Sequence, residues 1–236
     1  MASIVGKAQQ TTAVSRTSEG RQKQVRVLRD GALVNADWIT ALTLEGRVHG
    51  AQTGTGTTPD TLNDAYTDAQ QDFYVYVPAG TLIIPLHIGI QWEDSGQAGI
   101  IDCFAGYSSN GDSAVTGTAL TIRNYKTLAS PASSCTATAI VTSGGTTHLG
   151  GNDFLEFWRP YAGTAIDAFT GSIAHLGAGR YSMHNMEWDA RQFVPPFIGS
   201  VDQDCALSIF ASDAGTDAGT GFITVIWAEL DASAFA

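Results

Sequence analysis

Nowhere in the 236-residue chain do apolar residues run for the roughly 20 positions that a membrane-crossing helix needs. The opening MASIVGKAQQTTAVSR lacks the apolar centre of a secretory leader. Synthesis in a reducing cytoplasm without a signal peptide is therefore expected, with any export by another route. Cysteine is scarce. Cys103, Cys135 and Cys205 form an odd set with no zinc spacing, so three reduced thiols are expected. Cys103 and Cys205 sit in strand-like runs, where cysteine behaves as a small apolar residue.

The motifs of common chemistries are missing too. There is no G-x-x-x-x-G-K-S/T phosphate loop, no H-E-x-x-H pair and no G-x-S-x-G elbow. Ser143-Gly144-Gly145 reads as a turn rather than an oxyanion loop. The histidines His49, His87, His148, His175 and His184 stand apart from one another. His184 and Glu187 are three apart on a strand-like stretch, which sends their side chains to opposite faces. His87 reads as a packed or interface histidine. Asp202, Asp204, Asp213 and Asp217 invite a calcium reading, but calcium wants six to eight oxygens. Their spacing fits solvated turns better. The pairs Asp153/Glu156 and Glu187/Asp189 have no spacing that defines a hydrolase geometry. No catalytic residue, cofactor or metal ligand is assigned, and the chain is read as a non-enzyme.

What the chain has is alternation. From Leu82 to Trp92 every even position is apolar, which defines a long strand with one face in a core. Pro85 cannot donate to a ladder and marks an edge or a bulge. Val77-Pro78-Ala79-Gly80 turns the preceding strand into this one. FYVYV (73–77) and FITVIWAEL (222–230) are apolar on both faces, so each is central or, for the first, faces another subunit. Further strands are expected at 24–29, 42–50, 100–107, 119–125 (Leu120 and Ile122 inward), 136–142, 153–158 and 205–211, with weaker ones at 172–176 and 181–188. Asn110-Gly111 is a tight-turn dipeptide. Thr58-Pro59-Asp60 carries helix-start chemistry, and Leu62, Ala65, Tyr66 and Ala69 follow at helical spacing. One short surface helix is expected there.

At 44% hydrophobic residues the chain is not disordered, and its length suits one all-β domain. Without helices between strands the pairing is antiparallel. The expectation is an all-β antiparallel β-sandwich over residues 24–236, fitting a single jelly roll with one short helix, other sandwich topologies remaining open. Residues 1–23 form an extended basic N-terminal arm.

Charge sets the arm apart. Residues 1–29 hold Lys7, Arg16, Arg21, Lys23, Arg26 and Arg29 against Glu19 alone, a surplus of five positive charges. The whole chain carries −11, so the remaining 207 residues carry −16. Nucleic acid phosphates, an anionic membrane surface and an acidic neighbouring subunit are the partners such a segment admits. The acidic body repels the first two and attracts the arm of another copy. The six cations are therefore assigned to contacts with a neighbouring subunit. Val14, Val25 and Val27 can add to a sheet edge there.

The stretches VYVPAGTLIIPLHIGIQWED and GFITVIWAEL resemble structural proteins of bacterial viruses, the single jelly-roll coat and capsid-associated proteins. The resemblance implies a virion component, made in the host cytoplasm. Such a protein assembles with itself and with other virion proteins through its jelly-roll faces, and its arm reaches into a neighbour. The alternative is a receptor- or carbohydrate-binding β-sandwich of a phage fibre or spike, with Tyr107, Trp158, Tyr161 and Trp188 as candidate binding aromatics, each also a candidate core residue.

Overall fold

A computed structural model describes residues 37–63, 66, 70–94, 101–144, 153–162, 185–213 and 219–234. The arm cations and the expected strands at 24–29 and 172–176 lie outside the described residues. The described chain is a β-sandwich of two antiparallel sheets with one short helix, α1 (Trp38–Leu44). In chain order the strands are β1 (Val48–Gln52), β2 (Asp60–Thr61), β3 (Phe73–Val77), β4 (Thr81–Asp94), β5 (Ile101–Ser108), β6 (Thr116–Ala119), β7 (Arg123–Asn124), β8 (Thr136–Ser143), β9 (Phe154–Trp158), β10 (Tyr161–Ala162), β11 (Asn185–Asp189), β12 (Ile198–Gly199), β13 (Cys205–Asp213) and β14 (Thr220–Asp231).

The first sheet runs β11-β4-β14-β1-β7, with β12 beside β4 and β2 beside β14. The second runs β10-β5-β13-β3-β8-β6, with β9 beside β5. The pairing is nested. β1 pairs β14, β3 pairs β13, β4 pairs β11, and β5 pairs β9 and β10. Successive pairs alternate between the sheets, so each sheet is stitched from chain segments far apart in sequence. The Pro78-Ala79-Gly80 turn carries the chain from one sheet to the other. Thr81 N–H donates to the Pro78 carbonyl, and Gly80 takes a φ of +84° that a side chain would oppose.

The alternation in β4 is real, and Pro85 sits at a bulge. Ile226 faces His87 and Trp227 faces Pro85, so Leu86 is the extra residue. Leu86, Ile88, Ile90 and Trp92 enter the core between the sheets with Ile223, Val225 and Trp227. Past the bulge the parity flips. Ile84 and Leu82 stand opposite Ala228 and Leu230, on the other face from Trp227, and these four are buried as well. FYVYV is central, between β13 and β8. Phe73, Val75 and Val77 face the core. Tyr74 packs on the outside with Val141 and Ala206, and its hydroxyl accepts from Asp112 N–H at 2.7 Å.

Three expectations need correction. Leu42 and Leu44 belong to α1, not to a strand running to Gly50, because Ile39 and Leu42 pack together on the core while Leu44 is 60% exposed. Asp60 starts no helix. It pairs in β2 with Gly221, and its Oδ2 accepts from Gly54 N–H at 2.7 Å. Most of the remainder of that expected helix lies outside the described residues. The stretch 119–125 is no single strand. β6 and β7 occupy its ends in different sheets, although Leu120 and Ile122 do pack on the core.

The outer face of the second sheet is aromatic. Phe104 and Phe210 stack at 4.5 Å, the Arg159 guanidinium sits 4.5 Å over Phe104, and Phe154 lies over Gly106. A Cβ at Gly106 would overlap the Phe154 ring. Gly106→Ala should therefore cost about 1–3 kcal/mol of stability. In a Phe154→Ala background the same change should cost far less. Urea unfolding of the four proteins measures the coupling directly.

Candidate functional site

Large apolar side chains are exposed together at one edge of the first sheet. β11 and β12 both pair with β4, and the chain between them, ARQFVPPF, loops outward. Pro195 and Pro196 cannot join a ladder. Asp189 anchors the loop's base: its carbonyl accepts from Gln192 and Phe193 N–H, and its Oδ1 accepts from Arg191 N–H at 2.7 Å. Phe193 stacks on core Trp188 with centroids 6.5 Å apart and still stands 53% exposed. Val194 is 92% exposed, Phe197 57% and, just past β12, Val201 42%. Arg191 Nη2 reaches Asp37 Oδ2 at 3.0 Å, which brings the start of α1 and half-exposed Trp38 to the same edge. Apolar surface concentrated in this way is of the kind that interaction sites present.

Sequence reasoning took Val194-Pro195-Pro196 only as a break in the chain. The available signal was FVPPF itself. Apolar residues around a Pro-Pro pair have neither period nor ladder partners, so they pack on something outside the sheet.

The residues with candidate chemistry are engaged elsewhere. Glu156 pairs with Arg159 at 2.5 Å, Arg159 also holds Asp102 at 2.8 Å, and Asp153 accepts from Ser108 Oγ. Asp204 Oδ1 accepts from Ala79 N–H at 2.9 Å and steadies the inter-sheet turn. Asp217 and His184 lie outside the described residues, as does the Asp213 side chain. Among the candidate aromatics Trp188 is core, Tyr107 and Trp158 pack partly buried against the core, and the Tyr161 side chain is not described. Cys103, Cys135 and Cys205 are all buried.

At the side of the sandwich His49, Cys135 and Glu229 do come together. Glu229 accepts from Trp227 Nε1 (2.9 Å), Ser134 N–H (2.9 Å) and Ser133 Oγ. Burial pushes the Cys135 thiol up, and the Glu229 charge pushes it further. Burial holds His49 down, against the pull of Glu229. A nucleophilic cysteine needs the opposite field, a cation that favours thiolate. This grouping locks β14 to the segment entering β8. Among the described residues no three His, Cys, Asp or Glu side chains are placed to hold a metal ion.

The chain matches no protein-family model, no curated protein and no solved structure. Its site is therefore read from its own geometry.

Asp72 is the most displaced carboxyl with a structural explanation. It is fully buried, and its oxygens accept from Asn63 N–H at 2.6 Å and Ala211 N–H at 2.7 Å. Its carbonyl accepts from Ile140 N–H, so one residue ties β13, the entry to β3 and β8. Burial pushes its pKa from 3.8 up to about 7, while the hydrogen bonds from Ala211 and Asn63 pull the other way. In the folded state the proton stays on to near pH 7, whereas the unfolded chain loses it near pH 4. The stability this protonation contributes, a few kcal/mol, is thus present below about pH 4 and lost as pH rises through about 7. Asp72→Asn should remove that slope and, by turning an amide N–H toward a backbone N–H, cost about 1–3 kcal/mol. Urea unfolding of both proteins between pH 4 and 8 tests both effects.

Proposed function

We propose that this chain is a non-enzymatic structural protein that assembles with copies of itself, as the coat or capsid-associated proteins of bacterial viruses do. The observation that carries the reading is the exposed apolar edge formed by Phe193, Val194, Phe197 and Val201 beside Trp38. A standard protein interface buries roughly 800 Å2 per partner around such apolar anchors. The basic segment, residues 1–29, is the second element of this reading. A neighbour's acidic body is the surface that segment's charge complements.

The nested strand pairing supports a jelly roll. Read as a jelly roll, β1, β14, β4 and β11 form one four-stranded layer and β3, β13, β5 and β9 the other. The segment carrying β6, β7 and β8 is then an insertion that widens both layers on one side. Coat proteins use this architecture because its sandwich is rigid while its loops vary. The virion assignment itself rests on the strand-pattern resemblance, since a fold serves many functions. The open face of the first sheet favours a second, ligand-binding role.

The mass of the full chain in solution tests the assembly, by light scattering with negative-stain imaging. Shells or a large discrete oligomer are expected. Val194→Asp combined with Phe197→Asp should break them into smaller species, and removal of residues 1–23 should impair assembly while leaving a folded body. A monomer indifferent to concentration and salt would overturn the reading.

A further inference from the structure

The solvent face of the first sheet holds a cleft with a different chemistry from the apolar edge. Cross-strand partners share a face, so the pairing register places its floor. Gln52 stands beside Thr224, Thr224 beside Gly89, and Gly89 beside Glu187. The next row is His87, Ile226, Gly50 and Arg123. The alternate residues Ala51, Val225, Ile88 and Ile90 point into the core.

Two hollows lie on this floor. One of about 630 Å3 is bordered by Tyr125, Leu128 and Thr58. The other, about 440 Å3, is bordered by His87, Gln91 and Glu187. They share Gln52, Thr55 and Thr224, so they adjoin, and together the cleft they make crosses the sheet from β7 to β11. At ordinary strand spacing that is a span of about 19 Å. Each hollow alone is in the size range of small-molecule sites.

Two glycines shape the cleft. A Cβ at Gly50 would stand 2.7 Å from Tyr125 Cε2, and one at Gly89 would stand 3.0 Å from His87 Nε2. Their absence lets the Tyr125 ring and the His87 imidazole lie over the strand backbone. Tyr125 is half exposed there, a ring on a rigid sheet with one side open to a ligand.

The walls select among ligand classes. β14 and β4 are paired along both edges, so the floor between β1 and β11 offers no free ladder for a peptide strand. Arg123 is the sole cation among the described lining residues and is offset by Asp60 and Glu187, which disfavours an anion. What remains is amides (Gln52, Gln91), threonine hydroxyls and an imidazole, set beside apolar groups such as Leu128, Ile226 and the exposed Tyr125 ring. Such groups pair with many neutral hydroxyls and cover an apolar ring face at the same time.

We propose that this cleft binds a neutral oligosaccharide, with one sugar stacked on Tyr125 and the hydroxyls of its neighbours bonded by Gln52, Thr224, Gln91 and His87. A chain of sugars rather than a single one suits the length of the cleft. This function is independent of assembly, since it uses none of the residues of the Phe193–Val201 edge.

The test is calorimetric titration of the full chain with maltohexaose, cellohexaose and N-acetylchitohexaose, and with a heparin hexasaccharide as the anionic counterpart. Saturable binding of at least one neutral hexasaccharide is expected. Tyr125→Ala should weaken it by about tenfold or more, the size of effect a buried stacking contact produces, and Tyr125→Phe should retain most of it. Gln52→Ala, an exposed position with no part in the core, should weaken it several-fold while leaving Tm unchanged. Val194→Asp should leave it intact whatever happens to assembly. Failure of all three neutral sugars to bind would overturn the proposal. So would binding that survives the Tyr125→Ala, Gln52→Ala double change, or binding of the heparin fragment alone with loss on Arg123→Ala.

Discussion

The ladder between β4 and β14 is the constraint on which the rest of the molecule depends. It pairs the two longest strands from Thr81 against Asp231 to Asp94 against Thr220, at the centre of the first sheet. Every other strand of that sheet except β7 is paired directly to one of these two. Their inward side chains, Ile88, Ile90, Val225 and Trp227 among them, form half of the core against which β3, β5 and β13 close. Side chains of this size stabilise by roughly 1.5–3 kcal/mol each when fully buried, so this ladder anchors much of the stability of the fold.

The bulge at Pro85 gives that ladder two different ends. Beyond it, toward Leu82 and Leu230, both faces of the pair are buried, and Ile39 and Leu42 of α1 join the same core cluster. Before it, toward Gln91 and Phe222, the outer face stays open and carries the cleft. A proline with no N–H to lose is tolerated where the ladder already skips a bond. One backbone irregularity thus separates a covered half of the sheet from a half free to meet solvent or a ligand.

Three acids, of which Asp72 is buried, serve architecture here. Asp72 joins β13 to the entry of β3, Glu229 joins β14 to the segment before β8, and Asp204 steadies the Pro78-Ala79-Gly80 turn. Each accepts hydrogen bonds from backbone N–H groups that the ladders leave over, which is how a sandwich with many crossovers satisfies its loop backbone. The exposed features are of two kinds. One is the apolar edge at Phe193–Val201, proposed to meet a neighbouring copy, and the other is the cleft of mixed polar and apolar lining with a half-exposed ring, proposed to take a neutral sugar.

The sequence by itself determined the all-β class, the long strand at 81–93, an edge or bulge at Pro85 and the central place of FITVIWAEL, while FYVYV reads in it as central or facing another subunit. Period-two burial and the missing proline N–H are local properties, and they survive any arrangement of the remaining chain. α1 reads as strand in the sequence because Leu42 and Leu44 satisfy a period of two, while Ile39 and Leu42 satisfy a helical one. Only the packing of α1 on the core decided between them. Tertiary structure alone decided the site. Gln52, Gly89, Glu187 and Thr224 are far apart in sequence and ordinary in composition, and they become one surface only through the register of four strands. Register is set by which apolar faces bury together across the whole sheet, a property that no single stretch of sequence carries.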